Sequence, residues 1–322
     1  MARRRRHTPS MPEIEIVPRG PFSLAAARGF ADGFPAGIGG GGVGVESITL
    51  AFPVEGTNQS AALELWQDAD GVVRGRTDAP PEIRAAALHQ AARSLSLDHD
   101  GAGWPAVGAR DPIVGAAQRE LDNLRPVCFY SAYEAVTSFV IGQRIARRQA
   151  AVIKRDLADR LGDRPTVGGT AVPAFPRPER LLELREARGL NPTKVERLHG
   201  LARAALDGRL DTEVLRTLPP ETALPQLQEL PGVGPFTAQG VYFRGCGVAD
   251  GIPDADELGR EVVRDLYEIP DAGAADVDRL AEAWVPYRMW AVVLLRVAWG
   301  RRQAGPVSYR RDTPRSTGDL PA

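Results

Sequence analysis

The sequence contains very little cysteine and histidine. Its 322 residues include two cysteines, Cys128 and Cys246, too few for a disulfide framework or a four-thiolate iron–sulfur cluster. This usage is typical of a reducing compartment. The four histidines are scattered singly, so no spacing of the kind that binds zinc occurs. We therefore expect no metal of this kind and no cofactor.

Long apolar runs and an excess of one charge are also missing. No stretch is apolar for long enough to span a membrane, and the basic run at 1–6 lacks the apolar core of a signal peptide. The formal net charge is −1, so any binding of nucleic acid must come from a local basic patch. The composition, 43% hydrophobic and 25% charged, predicts one large or two ordinary globular domains.

Residues 13–100 predict a small α/β domain with an antiparallel sheet. Its pattern has the order β-α-β-β-β-α, with strands at 14–17, 45–54, 61–67 and 72–76 and helices at 23–30 and 81–95. The preceding residues, 1–12, predict a disordered basic tail. The glycines at 39–44 predict a flexible loop, without the Gly-Lys-Ser/Thr that holds a nucleotide phosphate.

From Ile113 onward the pattern predicts only helices. A capping box at Ser131–Glu134 begins one of them, and Gly142-Gln143 separates it from the next. The predicted fold class is α+β, with an N-terminal antiparallel β-sheet domain followed by an all-helical domain over 110–300. The polar end, 301–322, predicts a flexible tail.

The segment Leu230–Ala238, LPGVGPFTA, organises the helical part. Leucines at helical spacing precede it and an apolar stretch follows it, so Pro-Gly-Val-Gly predicts a tight turn between two helices. Gly232 and Gly234 allow a positive φ or a close approach, and Pro235 suits a first helical turn. Such a turn points backbone N–H groups outward, which predicts an anion site with a DNA phosphate as the candidate ligand.

This turn, together with the aspartate-containing loop at 251–260, resembles the helix–hairpin–helix DNA glycosylase superfamily. The similarity is greatest to its 3-methyladenine DNA glycosylase II branch, and it extends over about 110–300. The segments that support it are Tyr133–Val136, Ile141–Ile145, Lys194–Leu210 and Trp284–Arg288. The resemblance implies a helical hairpin domain, double-stranded DNA with alkylated bases as partner, no cofactor and no membrane, and a cytoplasmic monomer associated with the nucleoid.

Within this resemblance, Asp256 is the predicted catalytic residue. Cleavage of an N-glycosidic bond passes through a positively charged sugar, which a carboxylate near C1′ stabilises while it orients water. The alternative is a simple helix N-cap. Asp254 and Glu257 are competing carboxylates, and Asp256 is preferred because the family's aspartate is followed by an apolar helix position and a base, here Leu258 and Arg260.

The base pocket is predicted from aromatic residues. Bifunctional relatives carry a lysine nucleophile where this chain has Phe236, so the resemblance implies a glycosylase that releases a base without a Schiff base. Phe236 either stacks on the flipped base or belongs to the core. The other candidate pocket walls, each equally compatible with the core, are Tyr133, Tyr242 and Trp290. Two aromatic positions of the branch are Gly240 and Arg296 here, and Arg296 is expected to face DNA or to pair with an acid.

Phosphate contacts are predicted at the hairpin through backbone N–H groups of Gly232 and Gly234 and through Thr237. The resemblance also implies a possible monovalent cation on the carbonyls of Leu230 and Val233.

A wedge is predicted at Gln143 and Arg144, the position from which the family fills the gap left by a flipped nucleotide. In some relatives the second of these residues is leucine. Arg147 extends the basic patch, since residues 142–161 hold six basic and two acidic side chains. The alternative is a solvated helix face.

The sequence thus leads to a hypothesis: a monofunctional DNA glycosylase that hydrolyses the N-glycosidic bond of alkylated purines in base excision repair. Two alternatives stay open, a non-catalytic damaged-DNA-binding protein on the same scaffold and a glycosylase for deaminated or oxidised bases. The range of lesions does not follow from the sequence.

Overall fold

The computed structural model of the protein describes residues 13–32 and 47–304. The predicted basic tail, the predicted glycine loop and the chain after residue 304 lie outside these ranges. Residues 301–304, predicted as the beginning of a flexible tail, instead belong to the last helix.

Four strands form one antiparallel sheet with the spatial order β1-β4-β3-β2. They are β1 (Glu13–Ile16), β2 (Ser47–Pro53), β3 (Ser60–Gln67) and β4 (Val73–Thr77). The helices α1 (Leu24–Asp32) and α2 (Pro81–Ser94) pack with the sheet around one apolar cluster. The Ser23 hydroxyl accepts the Ala26 N–H at 3.1 Å and caps the start of α1.

Twelve further α-helices follow in the described part of the chain. They are α3 (Trp104–Arg110), α4 (Pro112–Glu120), α5 (Ala132–Gly142), α6 (Arg147–Leu161), α7 (Pro178–Leu181), α8 (Pro192–Leu206), α9 (Thr212–Thr217), α10 (Pro220–Gln228), α11 (Pro235–Gly240), α12 (Glu257–Leu266), α13 (Ala274–Ala281) and α14 (Arg288–Ala304). A π-helical turn, Val241–Gly245, continues α11, and a 3₁₀ turn, Glu282–Trp284, follows α13. The predicted α+β class with a small antiparallel sheet is confirmed, whereas the division into domains stays a prediction. No helix within these ranges is long and apolar enough to cross a bilayer.

Local capping signals place several of these helices. Ser131 accepts the Glu134 N–H at 3.0 Å at the start of α5, as predicted. The Glu134 carboxylate, predicted to reach back to the cap, instead pairs with Lys154 at 3.2 Å, and both side chains are at most 2% exposed. Burial raises the pKa of Glu134 and lowers that of Lys154. The second half of the capping box is therefore replaced by a buried ion pair.

The prediction of an all-helical region after Ile113 was wrong at one place. Two short strands, β5 (Thr166–Val167) and β6 (Thr170–Ala171), form a hairpin between α6 and α7. Its turn residues, Gly168 and Gly169, have φ of +58° and +77°, the conformation that a two-residue hairpin turn requires. This hairpin packs beside the sheet, where Val167 joins Ala51 and Ala62 in one apolar cluster.

Two larger apolar clusters lie among the helices. One is formed mainly by α5, α8 and the α10–α11 hairpin. The other surrounds three tryptophans, and the rings of Trp104 and Trp290 meet edge to face at 5.7 Å. Phe30 of α1 packs against both of these and against the sheet cluster, so the helix from the N-terminal part is shared by all three. These clusters hold the hairpin and the start of α12 in fixed places.

Candidate active site and nucleic-acid interface

The predicted hairpin is formed by α10, α11 and the turn between them. Gly232 has φ +81°, so the predicted need for glycine is confirmed there. Gly234 has an extended backbone, and no atom lies within 4 Å of the place where a Cβ would stand. Gly234 is exposed, whereas Thr237 is only 6% exposed. The surface that the turn offers to a ligand is therefore mainly backbone, and the Thr237 side chain lies largely behind it.

The hairpin carbonyls already take part in hydrogen bonds. The Leu230 carbonyl accepts the Val233 N–H at 3.1 Å. A carbonyl oxygen has two lone pairs, so this bond leaves room for a further ligand. The predicted binding of a monovalent cation to the carbonyls of Leu230 and Val233 is not tested by the contacts of the described residues and stays a prediction.

Gln239 of α11 connects the hairpin to the aspartate loop. Its side-chain oxygen accepts the Ala255 N–H at 2.8 Å, and its amide nitrogen donates to the Asp254 carboxylate. At the beginning of the loop, Asp250 accepts two hydrogen bonds from the Arg288 guanidinium, at 2.8 and 2.9 Å. The loop that leads to Asp256 is thus attached to the second helix of the hairpin and to α14.

Asp256 is the N-cap of α12, and it is 7% exposed. One carboxylate oxygen accepts the Gly259 N–H at 3.3 Å. The other accepts a hydrogen bond from Arg296 of α14, whose side chain is 30% exposed. Of the two roles left open for Arg296, the pairing with an acid is the one present. The N-cap reading of Asp256 is therefore confirmed, and its catalytic role stays a prediction.

The space beneath Asp256 is small. A cavity of about 10 Å³ lies between its carboxylate and apolar residues that include Val263 and Trp284. This volume holds roughly one water molecule and no nucleobase. A base therefore cannot reach the carboxylate through this cavity.

The neighbouring charged residues have other partners. Asp254 is exposed and bound by Gln239, and the exposed Glu257 pairs with Arg264 at 2.7 Å. Arg260, the base expected after the aspartate, is 4% exposed and pairs with Asp278 at 3.0 Å. Asp256 is thus the one buried carboxylate of the three candidates.

Three of the predicted pocket residues lie in the core. Tyr133 and Tyr242 are 5% and 4% exposed, and their hydroxyls donate to the carbonyls of Pro176 and Leu218 at 3.0 and 2.8 Å. Trp290 is 2% exposed. The core reading therefore holds for these three side chains, because their rings fill the apolar clusters and the tyrosine hydroxyls have buried acceptors. Phe236 is different, since it is 51% exposed.

An aromatic residue that the sequence reasoning missed lies beside Phe236. A Cβ on Gly240 would stand 2.3 Å from the Phe139 ring, so this ring from α5 occupies the room that a side chain at 240 would need. The Phe139 and Phe236 rings meet edge to face at 6.0 Å. The absent side chain at Gly240 was the signal, because a glycine inside a packed helix leaves room for a large neighbour.

The predicted wedge lies in the turn between α5 and α6. Arg144 is exposed and has φ +58°, a left-handed conformation that is uncommon outside glycine. Gln143 does not face open solvent, because its amide donates to the Gly232 carbonyl at 2.7 Å. Arg147 is exposed in the first turn of α6, where a cation is unfavourable to the helix dipole. Such a cation is better accommodated when the surface meets an anion.

Comparison with known proteins gives relatives of one kind. No protein-family model matches the chain. The chain is 26% identical over 204 residues to the DNA-3-methyladenine glycosylase of Bacillus subtilis, covering 61% of this chain and 65% of the relative. It is 29% identical over 166 residues to DNA-3-methyladenine glycosylase 2 of Escherichia coli, covering 50% and 56%. The match thus spans less than two thirds of the length of these curated relatives.

Solved structures share the fold. A 3-methyladenine DNA-glycosylase from Archaeoglobus fulgidus superposes with a TM-score of 0.71 at 19% identity, covering 92% of this chain and 100% of the other. An 8-oxoguanine glycosylase/lyase from Clostridium acetobutylicum, bound to double-stranded DNA, gives 0.57 at 15% identity, covering 80% and 96%. The resemblance predicted from the sequence is confirmed, and the chain has the fold of DNA glycosylases.

Proposed function

We propose that the protein is a monofunctional DNA glycosylase acting in base excision repair, which hydrolyses the N-glycosidic bond of alkylated purines of the 3-methyladenine type in double-stranded DNA. The observation that carries this proposal is Asp256, a nearly buried carboxylate at the start of α12, in a loop that Gln239 ties to the hairpin. The printed names of the matched relatives support the substrate class.

In the proposed reaction, water attacks C1′ as the bond between C1′ and the base nitrogen breaks. The bonding electron pair leaves with the base, and a base that is cationic through alkylation departs neutral. Positive charge develops on the sugar, where the Asp256 carboxylate stabilises it and takes a proton from the attacking water. The Gly259 N–H holds one oxygen of this carboxylate at the start of α12.

Arg296 has to move for this reaction. Its guanidinium is hydrogen-bonded to the carboxylate that the sugar has to approach, and the small cavity on Asp256 holds no base. Its partial exposure gives the side chain room to turn toward solvent or a DNA phosphate. The positive sugar then takes the place of the guanidinium as the partner of the carboxylate.

The hairpin and the turn between α5 and α6 form the proposed DNA interface. Exposed backbone at Gly234 and exposed cations at Arg144 and Arg147 suit phosphate binding, which is largely electrostatic and falls with salt. The paired rings of Phe139 and Phe236 offer an apolar face on which a flipped base can stack.

Absence of lyase activity is part of the proposal. The sequence contains only two lysines, Lys154 and Lys194, which are 1% and 9% exposed. Both amines are hydrogen-bonded within the protein. An amine that attacks C1′ must be free and neutral, so neither lysine suits a Schiff base.

A second candidate is a damaged-DNA-binding protein without catalysis. The closed Asp256–Arg296 pair favours it, because a carboxylate held by a guanidinium is not available to a substrate. Incubation with methylated duplex DNA separates the two. Release of methylated purines with unbroken abasic strands supports the glycosylase, binding without release supports the second candidate, and strand nicking contradicts the monofunctional assignment.

Replacement of the carboxylate tests the mechanism itself. Asp256→Asn is expected to lower the rate of base release by about 10²- to 10³-fold while DNA affinity stays nearly unchanged. The matched control is Asp254→Asn, which removes the charge of an exposed carboxylate, keeps an oxygen that can accept from Gln239, and should leave release within about fivefold. An equal or larger loss of base release from Asp254→Asn would show that the assignment of the reaction to Asp256 is wrong.

A further inference from the structure

The turn between α5 and α6 is held by side chains from another helix. Its four residues, 142–145, which we call the wedge turn, include the left-handed Arg144. The turn contains one weak internal backbone bond, from the Ile145 N–H to the Gly142 carbonyl at 3.3 Å. A non-glycine residue in this conformation costs about 1–2 kcal/mol, so contacts from outside the turn are needed to keep it.

Lys194 of α8 supplies two of these contacts. Its ammonium donates to the carbonyls of Ile141 and Gln143, at 2.8 and 2.7 Å. It is 9% exposed, and within the described ranges it has no carboxylate partner. Burial and the nearby Arg197 lower its pKa. The charge is instead stabilised by the carbonyl end of α5, where the helix dipole favours a cation.

The choice of lysine at this position is notable in so arginine-rich a chain. Lysine and arginine together number 40, and two of these are lysines. A compact ammonium with three donors can bind two converging carbonyls in a small buried space.

Arg197, one turn further along α8, connects the wedge turn to the hairpin. Its guanidinium donates to the side-chain oxygen of Gln143 at 3.2 Å, and the Gln143 amide donates to the Gly232 carbonyl at 2.7 Å. The aliphatic part of Arg197 packs on Gly232, because a Cβ there would stand 2.7 Å from the arginine Cδ. Each bond joins segments more than 50 residues apart in sequence.

We infer that Lys194 and Arg197 are positioning residues that join the wedge turn to the hairpin, so that binding of the DNA backbone and extrusion of a nucleotide occur on one rigid unit. This inference rests on the proposed function. Gln143 is then the link between the two parts.

The inference has a specific consequence for substrates. Extrusion of a stacked and paired nucleotide costs a few kcal/mol, and the cost is lower for a base that has already lost its partner. Without the contacts that support the wedge turn, base release should therefore be slow for a well-paired lesion and nearly normal for a lesion that has lost its pairing partner. A purely structural role would lower both rates together.

The experiment compares two duplexes that carry one 7-methylguanine, opposite cytosine in the first and opposite an abasic-site analogue in the second. Single-turnover base release is measured for the full chain and for Lys194→Met and Arg197→Met. We expect each variant to lose about tenfold or more on the paired lesion and less than about threefold on the unpaired one, because only the first requires full extrusion. Equal losses on both duplexes, or no loss on either, would overturn the inference.

Arg203→Met is the matched control. Arg203 is an exposed arginine of α8, nine residues from Lys194 and hence on the opposite side of the helix, so the substitution removes the same charge without touching the wedge turn. Both of its rates should equal those of the unchanged protein.

A second measurement keeps the inference separate from the proposed function. The fluorescence of 2-aminopurine beside an abasic-site analogue reports unstacking on binding, whether or not any base is released. We expect the unchanged protein to raise it and Lys194→Met to raise it much less at saturating protein. If the unchanged protein releases no base but this difference appears, the catalytic proposal fails and the positioning role stands. If the difference is absent, the positioning role fails.

Discussion

At the hairpin, Gly234 and the Phe236 ring stand open to solvent, whereas at the start of α12 the Asp256 carboxylate is 7% exposed and covered by Arg296. The two regions are close in sequence and connected through Gln239. Under the proposed function, one presents its binding surface in the free protein, and the other has to exchange a bound guanidinium for its ligand. DNA binding and catalysis are therefore expected to respond differently to substitutions in the two regions.

The largest effect that sharpens this comparison is expected at the hairpin turn. Gly232→Ala places a side chain at φ +81° and 2.7 Å from the Arg197 Cδ. The left-handed conformation and the overpacking together should lower the free energy of unfolding by about 2–4 kcal/mol. DNA affinity should fall by about tenfold or more, because the backbone N–H groups proposed to bind phosphate are displaced. Urea unfolding and binding titrations measure the two quantities.

Gly234→Ala is the matched control for that substitution. Its backbone is extended, and no atom lies within 4 Å of the added Cβ in the free protein. Stability should change by less than about 0.5 kcal/mol, whereas affinity falls if DNA approaches this backbone closely. A large loss of stability from Gly234→Ala would contradict the description of an open turn.

A smaller effect is expected at the covered carboxylate. Arg296→Met leaves the buried Asp256 without its cation and should lower the free energy of unfolding by about 1–3 kcal/mol. Asp256→Asn combined with Arg296→Met should recover part of this loss, because the uncompensated charge is removed. A double-mutant cycle in urea gives the coupling free energy.

The control for the Asp256–Arg296 pair lies on α12, the helix that Asp256 caps. Arg264 pairs with the exposed Glu257 at 2.7 Å, and Arg264→Met should change stability by less than about 1 kcal/mol. If Arg296→Met is as mild as this control, Asp256 is not held closed, and the contrast between the two regions disappears.

The parts of the structure that the sequence predicted are those with local signals. Ser131 caps α5 by accepting an N–H three residues away, and Gly232 takes the positive φ that its turn requires. The β5–β6 hairpin also has a local signal, the pair Gly168-Gly169, which the prevailing helical pattern concealed. Such features depend on a few neighbouring residues and are readable without the fold.

The remaining features depend on contacts between distant segments. Arg296 lies 40 residues from Asp256, and Gln143 lies 89 residues from Gly232. Phe139 fills the space at Gly240 because α5 packs on α11. For the same reason, Tyr133, Tyr242 and Trp290 could not be divided between pocket and core in advance. A spacing pattern gives the face of a helix, but which partner covers that face follows only from packing.

The smallest expected effect concerns the basic side of the wedge turn, and it tests whether the open region binds DNA by charge. Arg147 is exposed in the first turn of α6, and if it contacts one phosphate, Arg147→Met should reduce the slope of log affinity against log salt by about 0.9. At moderate salt this amounts to a loss of a few fold in affinity, with no change in stability. Arg279→Met is the control, because Arg279 is also an exposed arginine, on the surface of α13, and it is already paired with Asp276. A lower affinity with an unchanged slope would mean that Arg147 acts through packing and not through a phosphate contact. No change in either quantity would mean that this face of α6 stays solvated when DNA binds. The slope distinguishes these cases because it reports the number of counterions released on binding, whereas the affinity also contains contributions from packing and shape.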